Sequence, residues 1–506
     1  MARLPTPEMR GSGVSVSIPA PVGGLNTRES FAQLKPFEAR ALENWLPDLG
    51  NVKVRPGRTV YQTVTGATSI RNLMTWRGSS GSVLVANAVL GTGSKLVNVS
   101  GTPIDLATGY SVGARWSFAN FNGWLFGVNG VDTPWRYDGV SVVATGFTGP
   151  TLTSLQTVAA VRNRLWFTRV NAANVWYGGI GAVTGALTEF QLSQVASGGK
   201  CVAIGSWSPQ DAGDGADDFT VLVMNTGEVI VYQGDPATSF RLAGKYQAPR
   251  PAGVDAVMKI GGELVILTVS GPIPLSAIVS GSDETAAGIM AVWGRIGPSW
   301  AQDFRLFGNN AGWNGYYWDG LAYFVIPTGV NNSRVYVFNT RANAWTLYTG
   351  MPATQFSDYD GKLFFGATTG GKVFRHATGT DEGAQIVTLC RQGASYPGGS
   401  GRSKHFTAMR VNMQTDGACQ GQVTLDVDFI DAPLNTSLFD ITAQVSGASW
   451  GDDWGSDWSG GYRTPRFWRQ VIGYGRAAAP VVRTRSTADN VRWSSTDLIW
   501  VKGGIL

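Results

Sequence analysis

Short runs in which apolar and polar residues alternate fill the middle of the chain, and Gly, Asn or Asp interrupts each of them. Alternation turns one face of a strand inward, and Asn-Gly or Asp-Gly supplies the positive φ that a two-residue hairpin turn needs. Seven such units can be laid out, with first-hairpin turns near Gly81, Gly123, Asn163, Asp218, Gly262, Gly320 and Gly361. The first and last turns lie 280 residues apart over six intervals, about 47 each, within the period of propeller blades. A further apolar strand follows in most units, as in Trp135-Arg136-Tyr137, Val175-Trp176-Tyr177 and Val335-Tyr336-Val337-Phe338, so one blade holds two hairpins. The fifth unit is the weakest, because Pro272 and Pro274 fall where its third strand should lie. The pattern predicts an all-β chain with a β-propeller of about seven blades over residues 67–384, and the spacing also allows six or eight.

The flanks read differently. Residues 1–66 should hold an extended arm (SIPAPVGGLN), a helix from Pro36 to Leu46 stopped by Pro47, and short strands at Val52-Lys53-Val54 and Thr59-Val60-Tyr61 that return to complete a blade. Beyond about residue 384 the alternating stretches lengthen: Met409 to Met413, Gln422 to Phe429, Phe467 to Tyr474, Pro480 to Thr484 and Asp497 to Val501. They predict a β-sandwich over residues 385–506.

Composition sets the class. Only 15% of the residues are charged and 43% are apolar, with 19 Trp, which gives far more burial than a disordered chain could use. No apolar run approaches the roughly 20 residues of a membrane-crossing helix, so no membrane span is expected. Met1 to Gly13 lacks the apolar segment of an export signal, and synthesis and folding in a reducing cytoplasm are expected. Cys201, Cys390 and Cys419 are odd in number and lack CxxC spacing, which favours buried thiols over disulfides or zinc. With only His376 and His405, a His-based triad or multi-His metal site is disfavoured. The net charge of +5 is uneven: residues 1–66 carry +3, residues 459–506 carry +6, and the stretch between them −4.

Candidate chemistry is sparse. Asp211, Asp214, Asp217 and Asp218 share a Gly-rich loop but lack EF-hand spacing, and read as a solvated insertion. Asp138, Asp319 and Asp360 each precede Gly and serve turns. Neither a P-loop, a nucleophile elbow nor a repeated Asp-box is present, so no enzymatic activity, cofactor or metal is expected. Two clusters stand out. Trp450, Trp454 and Trp458, interleaved with Asp452, Asp453 and Asp457, suit either sugar stacking or a subunit contact. Arg463, Arg466, Arg469, Arg483 and Arg485, with aromatics between them, suit a subunit interface or a DNA-facing surface.

At the N-terminus, Pro21-Val22-Gly23-Gly24-Leu25-Asn26-Thr27-Arg28, Leu42-Glu43-Asn44-Trp45-Leu46-Pro47 and Val54-Arg55-Pro56-Gly57 together resemble the opening of tail nozzle (tail hub) proteins of short-tailed, podovirus-like bacteriophages. The closing Gly503-Gly504-Ile505-Leu506 is similar as well. The resemblance implies a virion tail protein made in the host cytoplasm. It would form a homo-hexameric ring of propeller and sandwich parts below the portal and head-to-tail adaptor, contact tail fibres or spikes, and let double-stranded DNA pass without sequence-specific binding. It carries over no catalytic residue. A mildly acidic middle fits such a conduit, since a strongly basic wall would trap DNA by counterion release. The alternative from another class is a carbohydrate-binding propeller on a virion or cell surface, with the exposed Trp residues as its platform; a glycan-cleaving enzyme is a third.

Overall fold

The computed structural model describes residues 13–113, 115–209, 219–281, 284–329, 333–377, 379–434, 437–441 and 468–503. These form two compact units: Thr59–Phe338 with Thr349–Ala377, and the remainder of the chain. The chain thus passes between the units after residues 58, 338, 348 and 377. The repeat rhythm alone had placed single boundaries near 66 and 384.

The first unit is a seven-bladed propeller. Four-stranded sheets cover residues 69–110, 117–144, 155–190 and 201–247, and a three-stranded sheet covers residues 257–274. The sixth blade begins with Asn314–Trp318, Leu321–Pro327 and Ser333–Asn339. The seventh combines Ala353–Tyr359, Lys362–Ala367 and Lys372–Ala377 with Gly57–Thr63 as its outer strand. First strands of successive blades pack side by side, and that of blade 7 meets that of blade 1, which closes the ring. The turns follow the sequence pattern: Asn122-Gly123 (φ 46° and 78°), Asp319-Gly320 (46° and 78°) and Asp360-Gly361 (50° and 66°) all take the left-handed conformation of primed hairpin turns. The core lies between neighbouring blades, as where Leu84 and Val97 of blade 1 pack with Phe364 and Val373 of blade 7.

Two expectations for the N-terminal segment are corrected. Residues 36–46 form the strands Glu38–Glu43 and Trp45–Asp48, not a helix. Glu38–Glu43 pairs antiparallel with Ile386–Gln392, and Asn44, at φ 58°, breaks the chain between the two strands. Local helix propensity yields here to a partner strand more than 340 residues away. Of the two short strands expected to complete a blade, only the second does so; Asn51–Val54 pairs with Trp45–Asp48 and Val491–Lys502. Blade 5 forms a third strand across Pro272 and Pro274 in spite of its weak pattern, and its sheet has no fourth strand among the described residues. Its third strand, Gly271–Pro274, runs into helices Leu275–Ser280, Glu284–Trp293 and Gly297–Phe307, which the period-two reading missed.

The second unit is a sandwich of two sheets. One orders Arg469–Gly475, Lys404–Thr415, Val491–Lys502, Asn51–Val54 and Trp45–Asp48, with Val14–Pro19 also on Val491–Lys502. The other contains Glu38–Glu43, Ile386–Gln392, Ala478–Ser486, Cys419–Val427 and Phe439–Asp440 in that order. Met409, Val411 and Met413 of the first sheet face Val423 and Val482 of the second across the inner space. Trp45 packs on Trp493 with ring centroids 5.7 Å apart.

Candidate functional site

Where the first strands of the propeller begin, a cavity of about 570 Å³ opens on the ring axis. Its wall draws on six blades through Asn72, Trp116, Gln156, Val257, Asn314 and Gln355. The segment between helix Gly297–Phe307 and blade 6 crosses this space. Gly308 N–H donates to Phe304 O at 2.8 Å and Asn310 Nδ2 to Pro327 O at 2.8 Å, which pins the segment at both ends. Trp313 lies over Trp300, whose ring is wholly buried and whose Nε1 donates to Thr268 O at 2.9 Å. From blade 6 the segment reaches Arg115, at the start of blade 2. At Gly312, φ is +115°, a backbone conformation that favours glycine, and a Cβ would stand 2.5 Å from the Arg115 Cζ, so the guanidinium packs closely against this residue.

Arg115 lines this cavity. Its Nη1 donates to Arg71 O at 3.2 Å, and Arg71 Nη1 in turn donates to Val112 O. Neither arginine has an ion pair among the described residues. Burial, with the neighbouring Arg71 charge, pulls the Arg115 guanidinium down to about 10, so it stays cationic at neutral pH; burial alone lowers Arg71. Elsewhere on the wall, Asp255 sits at φ 58°, its N–H donating to Val202 O at 3.0 Å. Burial raises its carboxyl and a hydrogen bond with Ser117 opposes that shift. The amides form a relay: Asn72 Nδ2 donates to Gln355 Oε1 at 2.9 Å and to Trp116 O at 3.1 Å. Among the described residues, three side-chain atoms of cavity-lining residues are themselves buried and have no hydrogen-bond partner: Trp116 Nε1, Gln156 Oε1 and Asn314 Oδ1. A guanidinium without a carboxylate partner can hold an oxyanion.

Sequence reading missed these residues. The available signal was positional: Arg71, Arg115 and Asp255 each lie at or just before the first strand of a blade, at the end opposite the turns that marked the repeats.

The candidates named from sequence are dispersed. Arg483 and Arg485 sit half-buried on one face of the Ala478–Ser486 strand, two residues apart, opposite Leu389 and Val387. They have no ion pair among the described residues. Arg469 belongs to the other sheet of the sandwich, its guanidinium 4.2 Å from the Phe439 ring centroid. Arg463, Arg466, Trp450, Trp454, Trp458 and the Asp211 to Asp218 loop lie outside the described residues. Asp138 Oδ1 accepts from Val140 and Ser141 N–H groups at 2.8 Å, and those bonds lower its carboxyl, as its turn position implies. All three cysteines are buried free thiols, and burial pushes Cys201 and Cys419 up to about 12. Among the described residues no three His, Cys, Asp or Glu side chains group as metal ligands, and no helix is long and apolar enough to cross a membrane.

No protein-family model and no curated protein matches the chain. Its fold is similar to solved propellers. The WD40 beta propeller domain of Doa1 is 9% identical with a TM-score of 0.37, the match covering 63% of this chain and 96% of that one. YCF48 from Cyanidioschyzon merolae is 8% identical with a TM-score of 0.38, covering 63% and 98%. BamB from Moraxella catarrhalis is 9% identical with a TM-score of 0.35, covering 66% and 93%. By its own strand order the chain is an all-β protein built on a β-propeller.

Proposed function

We propose that this protein is a structural, non-enzymatic subunit of a bacteriophage tail nozzle, six copies forming a ring that extends the portal and adaptor channel. The observation that carries the reading is the use made of the N-terminal residues on which the resemblance rests. They are spent on holding the sandwich unit together. Arg55 Nε donates to Asn44 Oδ1 at 2.8 Å, and its guanidinium grips Asp381 at 2.6 and 3.0 Å, with only 1% of the Arg55 side chain exposed. Trp45 is wholly buried, Asn339 Nδ2 donates to Pro47 O at 2.9 Å, and Asn26 Nδ2 donates to Glu38 Oε2 at 3.3 Å. Residues that set a fold make the resemblance one of architecture and not of a catalytic site.

Two surfaces support ring assembly. Among the described residues Arg469–Gly475 is an edge strand, paired on one side with Lys404–Thr415, and presents Ile472 (80% exposed) and Tyr474 (56% exposed). An apolar edge of this kind invites a neighbouring copy. Arg483 and Arg485 offer planar donors to the carboxylates of a neighbour. Imaging of virion tails tests the reading: six copies around the tail axis, directly below portal and adaptor, are expected. Three copies in a peripheral spike, or none on the axis, would overturn it. Substituting Arg483 and Arg485 by Glu should reduce ring closure while the monomer stays folded.

A further inference from the structure

We propose that Arg115, on the wall of the axial cavity, and Arg71 beside it bind a phosphate group, free or as the monoester of a small molecule. This goes beyond the nozzle reading, and its failure would leave the ring test untouched.

The two side chains are interlocked where blade 1 meets blade 2. Arg115 Nη1 donates to Arg71 O at 3.2 Å, and Arg71 Nη1 donates to Val112 O, three residues before Arg115. Among the described residues these bonds use one of the five N–H donors on each guanidinium and offset none of its charge. Neither side chain meets a carboxylate there. The acids close by are engaged elsewhere: Asp132 accepts from the Ser111 N–H and Oγ and from Asn129 Nδ2, and Asp255 is hydrogen-bonded with Ser117. Two partly buried cations held side by side cost stability unless an anion offsets them, and the fold keeps them together all the same.

Charge and room together select the ligand. A doubly charged phosphate matches two guanidiniums, whereas a single carboxylate would neutralise only one of them. Phosphate oxygens also accept in pairs from the planar N–H edges of arginine. The Arg115 guanidinium packs closely against Gly312, whose N–H has no acceptor among the described residues, so the backbone adds a donor beside the pair. Both arginines stay partly exposed, and an entering ion can reach them. About 570 Å³ leaves room for phosphate or a small phosphomonoester and not for a duplex or a folded partner.

Calorimetric titration of the full chain with inorganic phosphate and methyl phosphate, against acetate, tests the proposal. Saturable binding of at least one phosphate is expected, at least about tenfold tighter than acetate. Tighter binding of methyl phosphate marks a phosphomonoester as the ligand, and tighter binding of inorganic phosphate marks the free ion. Arg115→Met and Arg71→Met should each weaken binding by about tenfold or more. Should these variants fail to fold, Ala311→Glu, at an exposed position next to Gly312, places a competing carboxylate beside Arg115 and should weaken binding by about tenfold. No saturable binding of either phosphate overturns the proposal. So does acetate binding as tightly as the phosphates, or undiminished binding in whichever of the three variants folds.

Discussion

The two units reach their cores by opposite routes. In the propeller, strands pair mainly with neighbours in sequence, as Ser117–Phe121 does with Trp124–Val128 and Asn314–Trp318 with Leu321–Pro327. In the sandwich, Val14 lies opposite Trp500, Glu43 opposite Leu389, and Arg492 opposite Lys53. Local pairing is repeated, so that one weak hairpin stays one weak hairpin. Distant pairing concentrates on a few shared strands. Ala478–Ser486 lies between Ile386–Gln392 and Cys419–Val427, and Val491–Lys502 lies between Lys404–Thr415 and Asn51–Val54. A unit built that way should fold later and fail as a whole.

The largest expected effect tests this directly. Removing residues 468–506 deletes a central strand from each sheet of the sandwich, while every strand of the propeller remains in the chain. Hydrogen exchange should then show the sandwich unprotected and blades 1 to 4 still protected. Protection of Glu38–Glu43 and Lys404–Thr415 in the truncated chain would break the comparison. Next in size is Arg55→Leu, which leaves Asp381 without its bidentate partner in a largely buried site and should cost about 3 to 5 kcal/mol in denaturant unfolding. A cost under about 1 kcal/mol would show that this contact does not anchor the unit.

The same difference explains what could be read from sequence. Blade count and turn positions were legible because most blades carry their own signal: alternation, then a turn rich in Gly, Asn or Asp, which is Asn-Gly or Asp-Gly with positive φ in blades 2, 6 and 7. The fate of residues 36–46 was not. EARALE between two prolines favours a helix locally, and nothing nearby reveals that Ile386–Gln392 will pair with it. The helices after blade 5 were hidden by a search for period two, and Trp300, their buried anchor, looks like any other Trp in the sequence. Arg115 was illegible for a further reason. Its significance lies in the carboxylates it does not meet, and that depends on what the ring brings to its axis.

Closure of the ring gives a smaller effect. Tyr61 on the closing strand packs on Phe364 at 4.7 Å between centroids and donates to Ser100 O at 2.5 Å. Tyr61→Ala should cost about 2 kcal/mol, with exchange rising at the seam between blades 7 and 1 first and the sandwich unaffected. Gly361→Ala is a purely local probe, because φ is +66° and a Cβ there would meet nothing within 4 Å. About 1 kcal/mol is expected, confined to one hairpin.

The smallest effect compares an ion pair in the propeller with the buried one at Arg55. Arg77 of blade 1 donates to Asp358 of blade 7 at 2.6 Å, and Tyr316 of blade 6 donates to the same carboxylate. Burial works to raise the Asp358 carboxyl, but the hydrogen bonds from Tyr316 and Arg77 outweigh it and hold it below the usual carboxylate range. A carboxyl depressed on folding stabilises the protein above its unfolded pKa, near 3.9, and that contribution disappears as pH falls through the folded value. The Arg77 side chain is 52% exposed and Asp358 30%, so solvent screening limits the pair to less than about 1 kcal/mol. Asp358→Asn should therefore lower stability slightly at pH 7 and flatten the loss of stability below about pH 4, bringing the two proteins together in acid. Melting curves across pH 2.5 to 7 for both proteins measure the difference. A gap that widens on acidification would mean that the Asp358 carboxyl is raised in the folded state and that the seam is held by the protonated form.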